Sequence, residues 1–126
     1  MKFIIDTDAW IEYFLGSSSG KKVEKIIEAD DNSIFSSAIT VAEITSIICR
    51  RNDDLELLAT VEDYSAIVGI TKGIAKKAGR IHADMRKSIK NFGMADSIIL
   101  ATAKEVNGKV VTGDKHFKGL KDVILI

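Results

Sequence analysis

Apolar positions along the chain fall into two kinds of run. Phe3-Ile4-Ile5, Ile34-Phe35, Ala66 to Ile70, Lys109 to Thr112 and Val123 to Ile126 are short and continuous, the pattern of strands buried on both faces. Between them, apolar residues recur at three- and four-residue spacing, which predicts helices. Ala9 to Leu15 forms the first helix and closes at Gly16. Ser17-Ser18-Ser19-Gly20 reads as a loop, and Val23, Ile26 and Ile27 mark a helix over residues 21–29. Val41, Ile44, Ile47 and Ile48 line a third helix that also holds Cys49. Leu55 and Leu58 belong to a fourth, capped by Asp53 or Asp54. Ile74, Ala78, Ile81, Met85 and Ile89 draw one stripe along a longer helix after Thr71. Met94, Ile98, Ala101 and Val106 draw the last, with Gly108 where a C-terminal glycine cap belongs.

Strands separated by helices pair in parallel, because a parallel neighbour is reached only through a crossover, usually helical. The expected fold class is therefore α/β: a three-layer α/β/α sandwich with a central parallel sheet, in a single domain over residues 1–126. In open parallel sheets, ligands sit beyond the carboxyl ends of the strands, near the point where strand order reverses. Candidate chemistry is therefore sought immediately after each strand.

Composition narrows the class. The chain has 126 residues, 46% hydrophobic, with one Cys and no Pro, which excludes a collagen-like chain and a disulfide-stapled scaffold. No apolar run approaches the roughly 20 residues of a membrane-spanning helix. Phe3-Ile4-Ile5 stops at Asp6, too soon for a signal-peptide core. A cytoplasmic protein without a membrane partner is expected. The formal net charge of +0 conceals a split: residues 1–64 hold six Lys/Arg and 13 Asp/Glu, residues 65–126 hold 12 and five. An acidic site beside a basic flank suits a metal-dependent enzyme acting on a polyanion; helix faces of unlike sign are the plainer explanation.

Four acids stand at strand ends or helix starts: Asp6 after the first strand, Glu43 and Asp96 in first helical turns, and Asp114 after Val111-Thr112-Gly113. Carboxylates that converge repel and raise one another's pKa, so a cluster calls for cations, and oxygen ligands suit Mg²⁺ or Mn²⁺. Each acid also has a local explanation. Thr40-x-x-Glu43 reads equally as a capping box, Asp8 as the cap of the Ala9–Leu15 helix, Asp96 as a helix-dipole partner and Asp114 as turn chemistry. His82 and His116 stand apart from each other and from Cys49, so no zinc-type spacing exists. Trp10, Tyr13 and Phe14 read as core or dimer contacts rather than a base-stacking surface.

Ile4-Ile5-Asp6-Thr7, Thr40-Val41-Ala42-Glu43-Ile44, Met94-Ala95-Asp96-Ser97-Ile98-Ile99-Leu100-Ala101-Thr102-Ala103 and Val110-Val111-Thr112-Gly113-Asp114-Lys115-His116-Phe117, in that order, resemble the PIN-domain ribonuclease family. The likeness is greatest to the short members that act as toxins of VapBC-type toxin–antitoxin pairs. It implies that Asp6, Glu43, Asp96 and Asp114 are the metal-binding, catalytic carboxylates, with Thr112 as accessory hydroxyl. It implies Mg²⁺- or Mn²⁺-dependent endonucleolytic cleavage of RNA, a homodimer and a cognate antitoxin partner. Asp8 departs from the family pattern, in which Ser or Asn is common at this position. Lys72, Lys76, Lys77, Arg80, Arg86, Lys87 and Lys90 offer phosphate contacts, or simply a solvated helix face. Two other members of the fold's functional range are a non-cleaving RNA- or protein-binding module and a stand-alone RNA-processing nuclease. A receiver-type phosphoacceptor domain is disfavoured, because Ser36-Ser37 stand where the acceptor Asp is required.

Overall fold

A computed structural model describes residues 1–126. Five strands form one parallel sheet in the order β3-β2-β1-β4-β5: β1 (Lys2–Ile5), β2 (Ser33–Ser37), β3 (Ala66–Val68), β4 (Lys109–Thr112) and β5 (Val123–Leu125). Six helices connect them: α1 (Thr7–Leu15), α2 (Ser18–Glu28), α3 (Ala38–Arg51), α4 (Glu56–Tyr64), α5 (Lys72–Met85) and α6 (Met94–Val106). The expected α/β sandwich is the observed architecture.

Alternation along each strand divides the core. Phe3, Ile5, Ile34 and Val111 face α1–α4, where Trp10, Val23, Ile44, Ile48 and Val61 pack against them. Ile4 and Val110 face the other way, onto Phe92, Ile99, Ala103 and Phe117. Both faces of the central strands β1 and β4 are covered, which is why they read as unbroken apolar runs, whereas the edge strands β3 and β5 stay partly exposed. Trp10 is fully buried, its indole N–H donating to Ser36 Oγ at 2.9 Å, and edge-packs with Tyr13 at 5.6 Å. Trp10 is thus core, and the half-buried Tyr13 and Phe14 pack against it.

Several boundaries differ from the sequence pattern. The serine stretch is not a loop: Ser17 caps α2 by accepting from the Gly20 N–H at 3.0 Å, so the helix starts at Ser18. Gly20 is required there because a Cβ would lie 2.0 Å from the Glu12 carbonyl oxygen on α1. α5 stops at Met85, although the apolar stripe continues to Ile89. The chain turns over residues 86–88 and still delivers Ile89 to the core beside Phe92, a destination that spacing cannot distinguish from another helical turn. Gly108 is not the left-handed cap of α6. Asn107 takes that conformation, with φ of 57°, and Gly108 is dictated by a close approach to β1. A Cβ on Gly108 would meet Ile4 Cδ1 at 2.7 Å and the Lys2 carbonyl oxygen at 3.0 Å.

A candidate metal centre at the carboxyl edge of the sheet

Strand order reverses between β1 and β4, so the crevice expected to hold a ligand lies beyond Ile5 and Thr112. An open cleft of about 410 Å³ occupies that place. Asp6, Glu43, Asp96 and Asp114 all line it, brought together from four separate segments. Asp8 and Glu12 line it as well, and no Lys or Arg does.

Each acid is held by a local device. Asp6 follows β1 and caps α1, its Oδ1 accepting from the Thr7 N–H at 2.8 Å. Asp8 is therefore not the cap expected from the sequence. It lies in the first turn of α1 and turns toward the end of β4, where Oδ2 accepts from the Gly113 N–H at 2.8 Å. A Cβ on Gly113 would lie 2.9 Å from that same oxygen, so glycine is what lets Asp8 dock. The capping box at Thr40 and Glu43 is also absent. Ser37 caps α3 by accepting from the Ile39 N–H at 3.2 Å, and Thr40 is buried with its hydroxyl unpartnered. One turn further on, Glu43 is free to reach across the cleft and accept from Thr7 Oγ1 at 2.7 Å. Asp96 accepts from the Gly93 N–H at 3.1 Å, and Asp114 from the His116 N–H at 2.8 Å.

Thr112 is fully buried, and its hydroxyl joins the acids to one another. Oγ1 lies 2.9 Å from Asp6 Oδ2 and 3.1 Å from Asp8 Oδ1, and accepts from the Asp114 N–H at 3.0 Å. A hydroxyl carries one proton, so it donates to one carboxylate at a time. The other contact is oxygen against oxygen unless a proton or a cation intervenes. The electrostatics agree: burial, then the Asp8 charge, pushes Asp6 up from 3.8 to about 7, against the pull of hydrogen bonds from Thr7 and Thr112. Burial also raises Asp8 and Asp96. All donors are hard oxygens and no side-chain cation lines the cleft, so the site fits a divalent cation of the magnesium type.

Three neighbours were not singled out by sequence. Glu12 lies one turn beyond Asp8 on the same face of α1 and is held by Ser17 Oγ, a relation the four-residue spacing already contained. Arg50 lines the adjoining groove with Glu43 and Ser46. His116 places Nδ1 3.1 Å from Asp114 Oδ1. By contrast, none of the basic residues between Lys72 and Lys90 lines the cleft; Lys77 faces Glu105 at 3.6 Å and Lys87 faces Asp84 at 3.7 Å.

Residues 3–123 match the profile of the family described as PIN domain. No curated protein matches the chain in sequence. Among solved structures, a toxin–antitoxin complex from Klebsiella pneumoniae is similar at 24% identity and a TM-score of 0.74, over 96% of this chain and 94% of that one. VapBC2 from Rickettsia felis, bound to a DNA fragment from its promoter, matches at 18% identity and a TM-score of 0.76, over 100% and 98%. Mycobacterium tuberculosis VapC20, described as a sarcin–ricin loop cleaving toxin, matches at 10% identity and a TM-score of 0.65, over 86% of each chain. At such identities the structural matches show a shared fold. The profile reaches from β1 to the first residue of β5, and on that extent the chain belongs to the PIN domain family.

Proposed function

We propose that this protein is a divalent-metal-dependent endoribonuclease, the toxin of a VapBC-type pair. One observation supports this above the others: Asp6, Glu43, Asp96 and Asp114 meet in one cleft that no lysine or arginine neutralises. A purely structural role does not account for that arrangement, since the repulsion among these groups opposes folding.

Asp6 and Asp96 would hold a Mg²⁺ or Mn²⁺ ion, with Asp114 and Glu43 completing the site. Such an ion would supply acidification of an attacking water and charge compensation for the phosphodiester and its leaving oxygen. Glu43 is the acid best suited to orient the attacking water, because it lines the cleft and Thr7 holds one of its oxygens while the other accepts no hydrogen bond. Thr112 Oγ1 sits between Asp6 and Asp8 and donates to one of them at a time, while the Gly113 N–H holds the other oxygen of Asp8, so both carboxylates are positioned before substrate arrives. Arg50, in the adjoining groove, and the exposed cations between Lys72 and Lys90 receive backbone phosphates. The likeness to toxin–antitoxin complexes adds an antitoxin partner, and the family resemblance adds a homodimer. A cytoplasmic location goes with this reading, and no helix is long and apolar enough to cross a membrane.

Incubating the purified chain with RNA and Mg²⁺ or Mn²⁺, beside Asp96→Asn, tests the proposal. Internal cuts that need the cation and fall at least about 100-fold in the variant support it. RNA that is bound but stays intact in both metals identifies a non-cleaving module instead. Cutting that Asp96→Asn leaves unchanged overturns the assignment of the site.

A further inference from the structure

His116 belongs to none of the acid positions, yet the fold fixes it beside two of them. A 3-10 turn, Lys115–Phe117, follows Asp114, and the buried Phe117 anchors it against Phe92 with ring centroids 5.7 Å apart. Phe92 immediately precedes Gly93, whose N–H holds the Asp96 carboxylate. One aromatic pair therefore locks together the segment bearing Asp96 and the segment bearing Asp114 and His116. As a result, one ligand atom each from Asp96, Asp114 and His116 lie within 4.8 Å of one another, the spacing that a single cation spans. His116 is not among the residues lining the cleft, so the trio sits on its flank, with Asp96 and Asp114 common to both.

We infer that His116 is a nitrogen ligand for a cation held with Asp96 and Asp114, and that this position takes Mn²⁺ in preference to Mg²⁺. The inference rests on the nuclease reading of the acidic cleft and specifies the metal preference at its flank. Mg²⁺ demands oxygen donors and small octahedral geometry, whereas imidazole suits first-row transition ions. The imidazole is the one nitrogen donor in the trio, so it is the group that discriminates. Nδ1 lies 3.1 Å from Asp114 Oδ1, about the separation of two neighbouring donors on one six-coordinate ion, so the ring nitrogen and the carboxylate are already placed to share the cation.

Calorimetric titration of the chelator-treated protein with Mn²⁺ and separately with Mg²⁺ tests this without any cleavage assay. The native chain is expected to bind Mn²⁺ more tightly. His116→Gln is expected to weaken Mn²⁺ by about 10-fold or more while Mg²⁺ changes much less. His116→Asp, which returns a donor of oxygen type, is expected to shift the preference toward Mg²⁺. Pulsed EPR of the native protein loaded with Mn²⁺ reads the ligand directly and needs no variant: a nitrogen coupling is expected. Equal weakening of both metals in His116→Gln means that the imidazole only orients Asp114 and overturns the inference, as does the absence of nitrogen coupling. A native chain that takes up neither metal removes the nuclease reading as well; one that binds both without regard to His116 removes this inference alone.

Discussion

Two clefts open at opposite ends of one sheet. The larger, about 480 Å³, lies where the strands begin and is lined by Lys2, Lys104, Lys109 and Lys121 with Asp122. The smaller, about 410 Å³, lies where they end and gathers six carboxylates. Size would favour the first. Yet its charged side chains project into water, where like charges are screened and exert little force. At the carboxyl edge the charges are half-buried or buried, and burial raises three of them against their own ionisation. The difference between the ends is therefore energetic: at one the charges are screened by water, at the other burial sets the carboxylates against their own ionisation. Strain among charges, rather than volume, sets the carboxyl-edge cleft apart.

The largest effect expected follows from removing that strain. Asp6→Asn is expected to lower RNA cleavage at least about 100-fold and yet stabilise the chelated protein at pH 8, by up to roughly 4 kcal/mol. Folded Asp6 titrates near 7 against an ordinary 3.8, so the folded chain holds this proton more tightly than the unfolded one. Its contribution to stability is whole below about pH 4 and is lost as pH rises through 7. Urea unfolding of the chelated native protein across that window should show the decline, and Asp6→Asn should flatten it. A native protein that gains stability over the same window contradicts the account.

Adding a divalent cation should reverse the penalty at the carboxyl edge. At 100 times its dissociation constant, the cation is expected to stabilise the native chain at pH 8 by about 2.7 kcal/mol, measured as a rise in urea midpoint. The same addition should do far less for Asp6→Asn.

β4 runs from one cleft to the other, with Gly108 before it and Gly113 after it, which permits one substitution at both ends. Gly108→Ala drives a methyl into Ile4 and the Lys2 carbonyl; a loss of about 1–3 kcal/mol in unfolding experiments is expected, with cleavage per folded molecule unchanged. Gly113→Ala crowds the Asp8 carboxylate alone, its other neighbour, Ile126 Cγ1, standing at an ordinary contact distance of 3.8 Å. It is expected to lower cleavage by about 10-fold with a smaller change in stability. Equal stability losses would mean that the two ends do not differ in kind. The smallest effect belongs to the lysines of the large cleft: Lys104→Ala is expected to stay within about 0.5 kcal/mol of the native chain in urea unfolding.

Much of this was readable before any coordinates. Alternating runs and helical stripes identified every strand and helix, because burial on a parallel sheet imposes its period on the sequence. Local chemistry was harder to place. Asp8 stands where a cap belongs and Thr40-x-x-Glu43 has the spacing of a capping box, yet Asp6 and Ser37 take those duties and release Asp8 and Glu43 into the cleft. The sequence shows which residues are able to cap, and competition among adjacent candidates is settled by where the strand ends.

The amino-acid sequence by itself determined the layers, the parallel sheet and four acids at its outgoing edge, since these follow from periodicity and from neighbours a few residues apart. Only the tertiary structure decided that Glu12 and Asp8 join the acids, that Arg50 rather than the Lys72–Lys90 stretch borders them, and that His116 stands beside Asp96. The physical reason is distance along the chain. Thr112 and Asp6 are 106 positions apart and share one proton, a contact that exists only after β1 and β4 have paired.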